Sequence, residues 1–179
     1  GGNLIHASSV ADSVPLLCVL DASLELASCQ GRRWVGINQF FKANHRTVLR
    51  NNELLVRVRI PLPSPCQRLR LYKVSRRRDL DIATITAAIC MKVEGGRITQ
   101  AAIAVGGAGP TVRRLERVES WLIDRPCQEE TFLRAGQLAV EEVSPWSDVR
   151  GSAEYRRQLV GSLMVRYFHE MSSCMEVAE

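Results

Sequence analysis

Gly1, Gly2 and Asn3 open the chain, and Asp12 follows at the end of Ala7-Ser8-Ser9-Val10-Ala11-Asp12. Two glycines leave backbone N–H groups that an anion can approach with no Cβ in the way. Asn3 adds a side-chain amide, and Asp12 is an acceptor suited to a ribose hydroxyl. Together these are the groups that a diphosphate flanked by sugars requires. Taken alone, such residues more often form an ordinary turn. Lys73 is one of the chain's three lysines, with Lys42 and Lys92, and its neighbours are rich in arginine. A flexible ammonium suits the acceptors of a nucleotide; the alternative is a solvated strand lysine. Arg76, Arg77 and Arg78 with Asp79 and Asp81 read locally as a charged loop. That loop either attracts an anionic dinucleotide or is a solvated turn with weak surface ion pairs.

Other chemistry finds little support. His6, His45 and His169 show no metal spacing. No Ser/His/Asp set and no paired carboxylates stand out as catalytic residues. The six cysteines form no C-x-x-C pair and no iron–sulfur or zinc ligand pattern. They read as reduced, mostly buried thiols of a reducing, cytoplasmic compartment. The net charge of +5 comes from dispersed arginines with no aromatic interleaving, which argues against nucleic acid. No apolar run approaches the ~20 residues of a membrane span.

The elements that must position these groups are legible from periodicity. Residues 9–20 read as a helix capped by Ser9, with Pro15 in its first turns. Residues 23–27 and 33–37 alternate around Gln30 and Gly31 as a hairpin. Asn38 reads as the cap of a short turn carrying Phe40 and Phe41. In 54–60, Leu54, Val56, Val58 and Ile60 share one face and Leu55, Arg57 and Arg59 the other. Pro61, Pro63 and Pro65 mark a subdomain boundary. Strands follow at 69–75, 84–94 and 98–105, with Gly95 and Gly96 as a two-residue turn. Helices follow at 112–122, 129–143 and 153–171. The fold class is α+β: three antiparallel strands packed with three helices, after a first α+β part. The Gly106-Gly107 turn reads as structural, because it ends a strand.

In this order along the chain, Gly1-Gly2-Asn3-Leu4 with Ala7, Ser8, Ala11 and Asp12; Phe40-Phe41 with Arg46-Thr47-Val48-Leu49; Asn52-Glu53-Leu54-Leu55 ending in Ile60-Pro61; Tyr72-Lys73 through Arg76-Arg77-Arg78-Asp79-Leu80-Asp81-Ile82-Ala83; Gly106-Gly107 with Pro110, Thr111 and Arg114; and Tyr155-Arg156-Arg157 resemble motifs of the FAD-binding subunits of molybdenum hydroxylases. That family includes xanthine dehydrogenase and aerobic carbon monoxide dehydrogenase.

The resemblance implies an FAD site. Gly1, Gly2 and Asn3 would meet the pyrophosphate region, Asp12 a sugar hydroxyl, the Leu55 backbone and Lys73 the flavin nucleotide. Arg76, Arg77, Arg78 and Asp79 would lie near the flavin ring. Ser9 stands where the family commonly has proline. Residues 1–63 would be the C-terminal part of the FAD-binding domain and 67–175 the small α+β domain behind it. The protein would be the electron-transfer flavoprotein of an oxidoreductase complex, with molybdopterin and [2Fe–2S] clusters on partner subunits. Its FAD would pass electrons to NAD, oxygen or a quinone. An earlier glycine-rich motif of the family is not in this sequence, so the chain is expected to be the later part of such a subunit, inactive alone and binding FAD weakly or not at all. The alternative is a scaffold of the same fold that has lost the flavin.

Overall fold

The computed structural model of the protein describes residues 2–77, 79 and 81–176, with side chains as far as Ser172. Gly1 and Arg78 of the expected site, and Leu80 of its motif, lie outside the described residues.

Two sheets carry the fold. The first runs β2-β1-β5, from β1 (Ser23–Ser28), β2 (Gly31–Gly36) and β5 (Leu54–Arg59). The β1–β2 hairpin forms where alternation placed it, with Leu24 opposite Val35 and Glu25 opposite Trp34. β5 departs from its expected facing. A register shift between Glu25 and Leu26 leaves Val56 as the extra residue of a bulge. Leu55 and Val58 therefore both turn to the core, opposite Leu26 and Leu24, while Leu54 stays 70% exposed.

The second sheet runs β6-β7-β8-β9, from β6 (Gln67–Val74), β7 (Ile85–Glu94), β8 (Arg97–Gly106) and β9 (Arg113–Arg114). The three long strands are those read from the sequence. The two-residue β9 was not expected, and it takes the residues assigned to the start of the next helix. That helix, α4, is confined to Glu116–Leu122. It is followed by α5 (Glu129–Glu142) and α6 (Ala153–Glu176), close to their expected bounds.

Both faces of the β7–β8 layer are buried. Ile85, Ala87, Ile89 and Met91 meet the helices, in a core with Phe132, Val160 and Tyr167. Ala88, Cys90 and Ala104 face the other way, into a core with Val14, Leu24 and Phe40. These side chains are small, so the N-terminal helix α2 (Val14–Val19) can lie directly across β7 and β8.

The first turn of the chain corrects the sequence reading. Residues 9–20 are not one helix capped by Ser9. Gly2–His6 forms a short helix, α1, and α2 starts only at Val14 with Pro15 in its first turn. Proline lacks an N–H and belongs where none is needed, which puts the helix start at Val14 and not at Ser9. Residues 7–12 are left as a loop. Asn38 is likewise no cap. It lies within α3 (Ile37–Phe40), and its amide donates to the Cys18 carbonyl at 3.1 Å and to Asp21 Oδ1 at 2.8 Å. After α3 come β3 (Phe41–Ala43) and β4 (Arg46–Thr47), a small hairpin with His45 at its tip.

Among the cysteines with described side chains, Cys18 and Cys90 are buried, but Cys29 and Cys66 are exposed, which corrects the expectation of mostly buried thiols. Burial pushes the Cys18 thiol up to about 12, so it stays protonated and unreactive.

Glu53 ties β5 to its surroundings. It accepts from Arg33 Nε at 2.7 Å, Arg33 Nη2 at 2.8 Å and the Arg50 amide at 2.8 Å. The Arg33 bonds, then the Arg50 amide, bring its carboxyl from 4.5 to about 2. The folded value lies below the unfolded one. The stability from this group is therefore complete above pH 4.5 and is lost as the pH falls towards 2. Urea unfolding across that window should show a shallower loss of stability for Glu53→Gln than for the wild type. Parallel curves for the two proteins would contradict the assignment.

Candidate functional site

The loop at residues 7–12 is pinned to the second sheet. Ser9 is buried, and its carbonyl accepts from the Gly107 amide at 2.6 Å. The Gly106-Gly107 turn is thus used internally, and this amide is spoken for by the chain itself. Across from the loop stand the strand entry at residues 81–84, the segment 146–150 and the start of α6. Between them opens a cleft of about 570 Å³, whose lining includes Asn3, Ser9, Asp12, His45, Asp148 and Arg156.

At the cleft rim, Lys73 near the end of β6 donates to Asp12 Oδ2 at 2.7 Å. Both side chains remain accessible, at 42% for Lys73 and 55% for Asp12. Asn3 sits within α1, lines the cleft and accepts a bond from Ser13 Oγ at 3.3 Å. The His6 and His45 rings lie 4.5 Å apart, and His45 Nδ1 is 2.9 Å from the His6 carbonyl oxygen. A carbonyl only accepts, so the proton sits on His45 Nδ1.

The deep wall is organised by Arg156, which is 1% exposed. Its Nη1 donates to the Thr84 carbonyl at 2.7 Å and the Gly107 carbonyl at 2.9 Å, and its Nη2 donates to Asp148 Oδ1 at 2.7 Å. Asp148 also accepts from the Arg150 amide at 2.8 Å and from Arg150 Nη1 at 2.7 Å. Burial alone would raise the Asp148 carboxyl, but the Arg150 amide and the Arg156 guanidinium outweigh it and hold the group below its ordinary value.

A second depression adjoins the first and shares Asp81, Ile82 and Arg150 with it. Arg76 and Arg77 line it, and Arg76 Nη1 reaches the Val149 carbonyl at 3.1 Å. The Arg77 amide donates to Asp81 Oδ2 at 2.8 Å, and this bond foremost holds the Asp81 carboxyl below its usual range. Asp79 is exposed.

Of the residues singled out from the sequence, Asn3 and Asp12 line the cleft, Lys73 reaches it through its pair with Asp12 without being a lining residue, and Arg76 and Arg77 line the adjoining depression. Gly2 opens α1 and is not among the lining residues of the cleft. Leu55 lies on the first sheet opposite Leu26, also away from the cleft lining. The residues not anticipated are His6, His45, Trp146, Asp148 and Arg150, together with Arg156. Arg156 was visible only as part of the last-helix motif. Asp148 and Arg150 carried no local signal.

The accessible Asp12–Lys73 pair and the Asn3 side chain, at a cleft walled by internally satisfied arginine and amide groups, suit a polar, nucleotide-like ligand. Residues 70–171 match the CO dehydrogenase flavoprotein C-terminal domain, and residues 1–63 match the FAD binding domain in molybdopterin dehydrogenase. The chain belongs to the molybdenum hydroxylase FAD-subunit family. It is 29% identical over 172 residues to the xanthine dehydrogenase FAD-binding subunit of Escherichia coli O157:H7, covering 95% of this chain and 59% of that protein. Among solved structures, carbon monoxide dehydrogenase from Hydrogenophaga pseudoflava superposes with a TM-score of 0.88 at 29% identity, over 93% of this chain and 57% of that one. Quinoline 2-oxidoreductase from Pseudomonas putida 86 gives 0.86 at 32% identity, over 95% and 59%. This member of the FAD-subunit family thus spans less than two thirds of the length of these relatives. Among its described residues, no helix is long and apolar enough to cross a membrane, and no group of three or more His, Cys, Asp and Glu is placed to hold a metal ion.

Proposed function

We propose that the chain provides one wall of an FAD site in the flavoprotein subunit of a cytoplasmic molybdenum hydroxylase complex. The observation that carries this reading is the Asp12–Lys73 pair, 2.7 Å apart beside the cleft and joined across 61 residues of sequence. The residues fit the cofactor by their chemistry. Asn3 and Asp12 would hold sugar hydroxyls and the diphosphate edge. Lys73 would give up its contact with Asp12 in part to meet a nucleotide acceptor. Arg76, Arg77 and Asp79 would border the entry of the second substrate. FAD, when bound, supplies the electron-carrying chemistry; the chain holds and orients it. In this reading the electrons come from [2Fe–2S] clusters on an iron–sulfur subunit, after hydroxylation at a molybdopterin-binding subunit. They leave to NAD or another acceptor. The chain by itself is inactive.

An exposed ion pair contributes at most about 1 kcal/mol to stability, so its removal should leave the fold intact. Asp12→Ala and Lys73→Ala should therefore melt close to the wild type. In the assembled flavoprotein complex, each should weaken FAD binding about tenfold, the equivalent of one lost charge-assisted hydrogen bond. Flavin absorbance per subunit and fluorescence titration give the answer. Full FAD content and affinity with both residues changed would refute the site and favour a scaffold that has lost its flavin.

A further inference from the structure

We propose that Arg156 is the positioning residue that sets the width of the nucleotide cleft, acting through Gly107 on the loop that carries Asp12. The inference rests on the FAD reading for its consequence, but not for its geometry. One guanidinium holds three separate segments: the entry of β7 through the Thr84 carbonyl, the exit of β8 through the Gly107 carbonyl, and residue 148 through its carboxylate. The same Gly107 donates its amide to the Ser9 carbonyl at 2.6 Å. Arg156, Gly107 and Ser9 thus form a continuous chain of bonds from the buried arginine in the first turn of α6 to the cleft loop. The Thr84 hydroxyl adds a strut by donating to the Arg150 carbonyl at 3.2 Å.

The arrangement is not the cheapest way to pack this wall. Arg156 Nε is buried and, among the described residues, has no hydrogen-bond partner. A buried orphan donor is destabilising, and a buried ion pair often holds a fold no better than a well-packed apolar substitute. What an apolar side chain cannot do is fix two carbonyls and a carboxylate in one plane. Guanidinium geometry does this from two nitrogens, Nη1 and Nη2, whereas an ammonium donates all its bonds from a single nitrogen and does not span the same partners. The function of the group is therefore to fix distances across the cleft.

The first test needs no flavin. Amide hydrogen exchange on residues 1–179 compares the wild type with Arg156→Lys. Protection of the Gly107 amide should fall at least about tenfold, while the Ala135 and Ala139 amides of α5 change less than about twofold, because opening is local to the wall. Equal loss at all three would make Arg156 a general stability residue and overturn the proposal, as would unchanged Gly107 protection. If Arg156→Lys does not fold, Asp148→Asn decides: it keeps the shape, removes the carboxylate's charge, and should lower Gly107 protection in the same selective way. The second test uses the assembled flavoprotein complex. Arg156→Lys should speed FAD release at least about tenfold, whereas Glu119→Gln, destabilising but away from the cleft, should change it less than about twofold. Equal effects from both variants would overturn the positioning role. If exchange behaves as expected but FAD release does not respond even to Asp12→Ala, the clamp stands and the flavin reading fails.

Discussion

Gly107→Ala should destabilise the protein by about 3 kcal/mol, from left-handed backbone strain plus overpacking. Gly107 has φ +78°, in the left-handed region. A Cβ there would run into the Thr84 carbonyl oxygen and stand 2.9 Å from Arg156 Nη1. Neither neighbour is free to withdraw. The Thr84 carbonyl is the acceptor of Arg156 Nη1, and Arg156 is held on its other side by Asp148. The methyl group must therefore displace the turn, and with it the amide that holds Ser9. For a chain of this size, that loss lowers the melting temperature by about 6–12 °C. Thermal unfolding measures it. A loss below about 1 kcal/mol would mean that the wall yields easily and is not the rigid frame described above.

Glu119→Ala should be comparably damaging, at about 2–3 kcal/mol, because it takes the acceptor from the buried Ile103 amide and the main partner from the half-buried Arg114 guanidinium. Glu119 Oε1 accepts from the Ile103 amide at 2.7 Å and from Arg114 Nε at 2.6 Å, and Oε2 accepts from Arg114 Nη2 at 2.9 Å. Glu119 itself is buried at the start of α4, so this carboxylate is the latch between that helix and the sheet. Arg114 keeps a contact with Asp21 at 3.2 Å, which limits but does not remove the penalty. Glu119→Gln retains an oxygen acceptor and should cost about half as much. A double-mutant cycle with Arg114→Ala should show strong coupling, since the two residues share one network. Additive effects, or a Glu119→Ala loss under about 1 kcal/mol, would show that the pair is incidental.

Much of the architecture was legible because its signals are local. The alternation Ile85, Ala87, Ile89, Met91 and the Gly95-Gly96 turn specify a hairpin by themselves, and α5 and α6 follow from the 3.6-residue period. The errors arose where a local signal was ambiguous or overridden. Ser9 resembles a helix cap, yet its carbonyl is taken by Gly107 and the helix waits for Pro15. The alternation of β5 looked regular, but pairing with β1 introduced a bulge at Val56, so Leu55 from one expected face and Val58 from the other both turn to the core. Arg113 and Arg114 fit a helix N-terminus by position, yet they complete a sheet edge beside Val105 and Ala104.

The order of motifs along the chain, and hence the family, was decided by the residues alone, because each motif is a short run read without knowing its neighbours in space. The meeting of Asp12 with Lys73, and of Arg156 with Thr84, Gly107 and Asp148, was decided only by the tertiary structure. Those contacts depend on which face of β7 and β8 the helix α2 covers. That choice is made by the small side chains of Ala88, Cys90 and Ala104, whose common face exists only after the strands have paired. No periodicity within one segment encodes a distance between two, so the cleft appears only when both cores have closed on the same sheet.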